Sequence, residues 1–151
     1  MSECILCQVL AGTLPGSFIY RDERVAAFLD IQPVNPGHTL VVPMRHATYL
    51  ADLEVDEASA LLQVALRAAA ALRLSSLRCE GVNLFLADGE AAGQEVLHVH
   101  LHVLPRFAKD GFGLKLPPEY HTRHASREEL DRQAGALRTL LPTAGPSRRA
   151  V

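Results

Sequence analysis

The chain has 151 residues, 48% of them hydrophobic and 21% charged, with a formal net charge of −2. That length fits one domain with a full-sized core, and the missing positive excess excludes a protein that coats nucleic acid. No apolar run approaches the roughly 20 residues of a membrane helix. The N-terminal Met-Ser-Glu-Cys lacks the basic and apolar regions of a secretion signal, so a cytoplasmic protein with no membrane partner is expected.

Taken in chain order, Cys4 and Cys7 come first. A Cys-x-x-Cys pair puts two thiolates within reach of one metal ion, yet the spacing also suits a redox pair or arises by coincidence. Cys79, in Arg-Cys-Glu-Gly, reads as a small buried or half-buried residue. Two short strands follow, Gly16 to Asp22 and Val25 to Asp30, joined as a hairpin at Asp22-Glu23. Pro33-Val34-Asn35-Pro36-Gly37 is a turn cluster in which proline fixes φ and glycine supplies a positive one. His38 to Val42 is the third strand. Asp56 is placed as the N-cap of a helix running to about Arg73, with Leu62, Leu66, Ala69 and Leu72 along one face. Gly81 to Ala87 is the fourth strand, and Asp88 to Gly93 a loop.

The next stretch is the most informative. In His98-Val99-His100-Leu101-His102-Val103-Leu104-Pro105-Arg106, strict alternation reads as a fifth strand, with three imidazoles on one face and Val99, Leu101 and Val103 in a core. So much imidazole on one face suits proton transfer, nucleophilic attack or metal binding. At roughly 3.3 Å per residue, His98 and His102 stand about 13 Å apart. One ion cannot take all three without a bulge, so the three must divide the work. Past the strand, Ser126-Arg-Glu-Glu129 forms a capping box that starts a last helix, ending near Leu141-Pro142. Thr143 to Val151 reads as a disordered tail, leaving residues 1–142 as the domain. Strands in succession around one long helix predict an antiparallel α+β fold.

His98-Val-His-Leu-His-Val-Leu104 resembles the signature of the histidine triad (HIT) superfamily of nucleotide hydrolases and transferases. Gly93-Gln94-Glu95-Val96 resembles the Gly-Gln-x-Val that precedes it there. Phe28-Leu-Asp-Ile31 through Pro36-Gly-His-Thr-Leu-Val-Val-Pro43 resembles the family's upstream segment. The likeness runs from about Cys4 to Arg106 with every block in order. It implies a five-stranded antiparallel sheet with one long helix and a C-terminal helix, and a homodimer paired through the long helix and an edge strand.

The resemblance also implies roles. His100 is the nucleophile toward the α-phosphate of a purine nucleotide, through a covalent nucleotidyl-histidine. His102 donates to phosphate oxygens, and His38 is the supporting histidine. Asp30 accepts from ribose hydroxyls, while Phe28, Ile31 and Ile5 line the base pocket. Gly93 and Gln94 belong to the phosphate-side loop, whose backbone N–H groups suit an anion. Zinc-containing members complete a Cys-x-x-Cys with two histidines, which map onto His46 and His98, so Cys4, Cys7, His46 and His98 would hold a structural Zn2+ with no open position.

The chain departs from the family pattern at Ala87, where relatives commonly carry Asn or Gln, and at Glu95, where the Hint branch carries Ser. Pro105-Arg106 resembles the Fhit and bacterial branches, and Arg106 has a planar fork suited to a distal phosphate. Three readings stay open: a nucleotidyl hydrolase acting on a dinucleoside polyphosphate or nucleoside phosphoramidate, a nucleotide-binding regulator with incidental turnover, and a zinc hydrolase whose triad histidines hold a catalytic ion.

Overall fold

Strands β2 (Val25–Leu29) and β3 (Thr39–Pro43) bury nearly every side chain, so both faces of the sheet are covered at its centre. The computed structural model describes residues 4–142. The tail from Thr143 lies outside them. With β1 (Phe18–Arg21), β4 (Gly81–Phe85) and β5 (Leu101–Arg106), these strands form a five-stranded sheet in the order β1-β2-β3-β5-β4. Every pairing is antiparallel. The α+β architecture anticipated from the sequence is the one found.

Alternation sorts the two faces. Val25, Ala27, Val41, Val99 and Val103 pack against the long helix α2 (Val55–Leu74), whose Ala60, Leu61, Val64, Ala65, Ala68 and Leu72 face inward. Ala26, Phe28, Leu40 and Val42 pack on the other face against Leu6, Val9 and Leu10 of a short helix, α1 (Ile5–Ala11). The inner face of α2 is therefore not the one expected. Leu72 is inward, but Leu62 and Leu66 are 50% and 59% exposed. Small residues let a helix lie close on a sheet, so the alanines turned in and these leucines were left outside. The helix also begins earlier than Asp56: Glu54 is its N-cap, in a reciprocal capping box with Glu57.

Two glycines end or turn the chain where the backbone demands them. Gly12 closes α1 at φ 79°. Gly37 has φ 93°, and a Cβ there would meet Leu72 Cδ2 at 2.7 Å and Leu77 Cδ1 at 2.8 Å. No residue but glycine meets both demands. Past β5, α3 (Arg127–Leu140) starts at the capping box of Ser126 and Glu129, as expected, and buries none of its side chains. Among the described residues no helix is long and apolar enough to cross a membrane.

Candidate functional site

The triad begins before its strand does. Ladder pairing of β5 starts at Leu101, opposite Val41, so His98 and His100 lie on an extended approach rather than in the sheet. The approach is anchored elsewhere: Val99 N–H donates to Ala47 O at 2.7 Å. Alternation survives, with Val99 and Val103 buried toward α2 and the histidines on the face that carries α1. Helix α1 thereby delivers Cys4 and Cys7 to His98. Sequence reading missed that helix, although Leu6, Val9 and Leu10 followed by Gly12 are an amphipathic turn with its stop signal.

Four side chains converge at this end. Cys4, Cys7, His46 and His98 each offer a ligand atom, all within 4.8 Å of one another, and together they can hold a metal ion. Cys7 Sγ lies 3.3 Å from His46 Nδ1 and 3.4 Å from His98 Nδ1, and Cys4 Sγ lies 3.5 Å from His98 Nδ1. His98 is wholly buried, and its Nε2–H donates to Pro43 O at 3.0 Å. That bond fixes the tautomer and leaves Nδ1 bare toward the sulfurs. Burial, followed by the neighbouring Cys4, pushes the Cys7 thiol up to about 11.

The second cluster holds His100, His102, His38 and Asp30. His100 Nδ1–H donates to His98 O at 2.7 Å, which leaves Nε2 with its lone pair available. Its ring centroid is 4.9 Å from that of His102. Val34 N–H donates to His38 Nδ1 at 3.2 Å, so His38 carries its proton on Nε2, which donates to His102 Nδ1 at 2.8 Å. His102 then presents Nε2–H. Asp30 Oδ2 stands 3.6 Å from His38 Nδ1, too far for a hydrogen bond; its Oδ1 accepts from Gln32 N–H at 2.9 Å. Burial holds both imidazoles below their ordinary range. His102 falls to about 4, with the neighbouring His100 and His38 adding to the effect, and His38 is lowered with Asp30 opposing.

Asp30, His38 and His102 also have ligand atoms within 4.8 Å of one another. Two nitrogens on one tetrahedral zinc would be about 3.3 Å apart given bonds of 2.0–2.1 Å. The 2.8 Å between His38 and His102 is instead the length of a hydrogen bond. That spacing suits a proton relay between the two rings better than shared ligation of one ion.

Other expected site residues are placed differently from one another. Phe28 is buried in the α1 side of the core, Ile31 is 87% exposed and Ile5 is exposed on α1. Gly93 N–H donates to Glu90 O at 2.9 Å, and Ala92 and Gln94 N–H donate to Gly89 O at 3.0 and 3.1 Å. Gln94 is buried: its Oε1 accepts from Gly89 N–H and its Nε2 donates to Thr48 O, both at 2.7 Å. Four loop amides are thus engaged within the loop rather than presented to an anion.

The fork of Arg106 is also occupied. It donates to both oxygens of Asp110, at 2.6 and 2.8 Å, and to Asn83 Oδ1 and Phe112 O. Cys79 is half-buried, with Sγ on Gly81 O, as expected for a residue without a role in either cluster. Two residues that the sequence reading did not single out matter here. Phe85, opposite His102 in the ladder, has its ring 5.8 Å from that imidazole. Asn35 is buried, and its Nδ2 donates to Pro105 O and Asp110 Oδ2, both at 2.9 Å.

A five-stranded antiparallel sheet with a histidine relay between β3 and β5, and a Cys/His cluster at the approach to β5, defines a class of histidine-rich α+β proteins. Residues 11–109 match the HIT domain family, and the chain belongs to it. An uncharacterized HIT-like protein of Borreliella burgdorferi is 40% identical over 134 residues, covering 88% of this chain and 96% of its own. The crystal structure of a HIT family protein from Bacillus anthracis superposes with a TM-score of 0.84 at 34% identity, over 93% of this chain and 99% of that one. A zinc-bound histidine triad family protein from Mycobacterium smegmatis gives a TM-score of 0.70 at 37% identity, over 91% and 95% of the two chains.

Proposed function

We propose that the protein is a nucleotidyl hydrolase or transferase that cleaves a purine nucleotide at its α-phosphate through a covalent intermediate on His100. The observation that carries this is the tautomer of His100. With Nδ1–H bound to the His98 carbonyl, Nε2 keeps an unshared pair on the face shared with His102. Nε2 attacks the α-phosphorus, a P–N bond forms, and the bond to the leaving group breaks with its electron pair going to that group. Water then attacks phosphorus, the P–N bond breaks, and the mononucleotide departs while His100 is restored. His102 offers Nε2–H to the phosphate oxygens on which charge gathers, and His38 holds it in that state. Asp30 accepts from the ribose hydroxyls, Phe28 and Ile31 border the base, and Gly93 and Gln94 shape the loop before the phosphate.

The Cys4, Cys7, His46 and His98 cluster is read as a structural Zn2+ site. Sulfur and nitrogen ligands on one tetrahedral zinc are about 3.6 Å apart, close to the 3.3 to 3.5 Å found between these atoms. All four positions would be filled by protein, so a bound ion would tie α1 to the approach of β5. The zinc in the similar mycobacterial structure supports this reading. The protein is proposed to be a cytoplasmic homodimer.

The preferred leaving group is phosphate-like, as in a dinucleoside polyphosphate, because Glu95 stands where the Hint branch has serine. Comparing kcat/KM for diadenosine polyphosphate and adenosine phosphoramidate on one preparation tests it. A tenfold preference for the phosphoramidate would reverse the order. Binding without turnover on either would favour the nucleotide-binding regulator.

A further inference from the structure

Short polar residues in turns ordinarily bond their own backbone. Asp22 accepts from Arg24 and Val25 N–H at 2.8 Å, and Asp30 from Gln32 N–H. Asn35, in the Pro33–Gly37 turn, does otherwise. Its side-chain amide makes no local bond and spans 70 positions to reach Pro105 O, with a second bond to Asp110. Its backbone O accepts His38 N–H at 3.0 Å. The next residue back, Val34, supplies the N–H that leaves His38 with its proton on Nε2.

We propose that Asn35 is a positioning residue for the histidine relay. Its buried amide pins the turn to the strand that carries His102, and so fixes the tautomer of His38 and, through it, of His102. The chain of cause is short. Pro105 is three residues beyond His102 on β5, and His38 immediately precedes β3, the neighbour of β5. Holding Asn35 on Pro105 therefore locks the distance between the Val34 N–H and the pair of rings. Asp110, clasped by Arg106, serves Asn35 as a second acceptor. If the turn drifts, His38 Nδ1 loses its donor and Asp30, 3.6 Å away, becomes the nearest partner. A proton on Nδ1 of His38 would then turn Nε2 into an acceptor and reverse the relay, leaving His102 Nε2 bare.

The catalytic consequence rests on the proposed role of His102, but the tautomers are read without substrate. Long-range 1H–15N spectra of the imidazoles in labelled, metal-loaded protein should show protonated Nε2 and bare Nδ1 on His38 and His102. In Asn35→Ala, and in the near-isosteric Asn35→Asp should the first fail to fold, both rings should give mixed tautomers. kcat should fall about tenfold or more with KM changed less than about twofold. Arg106→Gln, which loosens Asp110 but leaves Asn35 on Pro105, should lower the melting temperature and keep the wild-type tautomers. Unchanged tautomers in the Asn35 variants would overturn the proposal, as would equal scrambling by Arg106→Gln. Shifted tautomers in a protein with no His100-dependent turnover would sustain the positioning role and remove the catalytic reading alone.

Discussion

The two histidine clusters use the same side chain with opposite nitrogens, and a backbone carbonyl makes the choice in each. At the cysteine end, Pro43 O takes the Nε2–H of His98 and leaves Nδ1 for a ligand. Two residues on, His98 O takes the Nδ1–H of His100 and leaves Nε2 for the proposed attack. The lesson is that residue identity on an alternating strand does not assign a histidine its work. The carbonyl beside it does, and the same residue, His98, is ring to one cluster and carbonyl to the other.

Removing the reactive nitrogen should break the comparison most sharply. His100→Asn is expected to lower kcat by on the order of 10⁴-fold or more while metal content and nucleotide affinity hold. Rapid-quench mass spectrometry should find a nucleotide adduct on His100 in the wild type and none in the variant. Near-normal turnover by the variant would end the nucleophile assignment.

The complementary change is Cys7→Ser, which should empty the metal cluster but spare the order of events at His100. Metal analysis should fall well below one ion per chain. The melting temperature should drop, because metal binding contributes folding energy, and each kcal/mol lost is worth roughly 2–4 °C in a domain of this size. Freshly purified wild-type protein without zinc would refute the site.

A third measurement sharpens the contrast through pH. Burial first, then the adjacent imidazoles, holds His102 at about 4 in the folded chain, against about 6.5 when unfolded. Between those values the unfolded state binds a proton that the folded state does not, so stability rises with pH from about 4 to 6.5 and levels off above. His102→Asn should flatten part of that rise in melting temperature. An identical slope in wild type and variant would contradict it. The smallest effect is expected away from both clusters. Leu66→Glu on the exposed face of α2 should shift the proposed homodimer toward monomer in light scattering, with little change in kcat. A wild type that runs as a 16.4 kDa monomer at micromolar concentration would remove the dimer itself.

Part of both clusters was legible from spacing, which survives folding: two cysteines three apart, and three histidines alternating with Val and Leu. His46, His38 and Asp30 were marked only by the resemblance to the HIT family. What joins them was less so. The start of β5 was read three residues early, since alternation marks which side a residue faces and not whether a neighbouring strand is there to pair with it. The inner face of α2 was misread because leucine serves a core and an outer surface equally, and only the closeness of the sheet selected Ala60, Ala65 and Ala68. Asn35 and the clasp of Arg106 on Asp110 were invisible, being bonds whose partners are chosen by the turn and the sheet together.

The hydrogen bond from His100 to the carbonyl of His98 has a consequence for how the protein waits. A neutral imidazole in water divides itself between two tautomers, and only one of them has a free Nε2. A site that left the ring unbound would spend part of its time in the unreactive form, and its observed rate would be scaled down by that population. Here the resting molecule already holds the tautomer that the proposed attack by His100 requires, so no proton would have to be moved within the ring first.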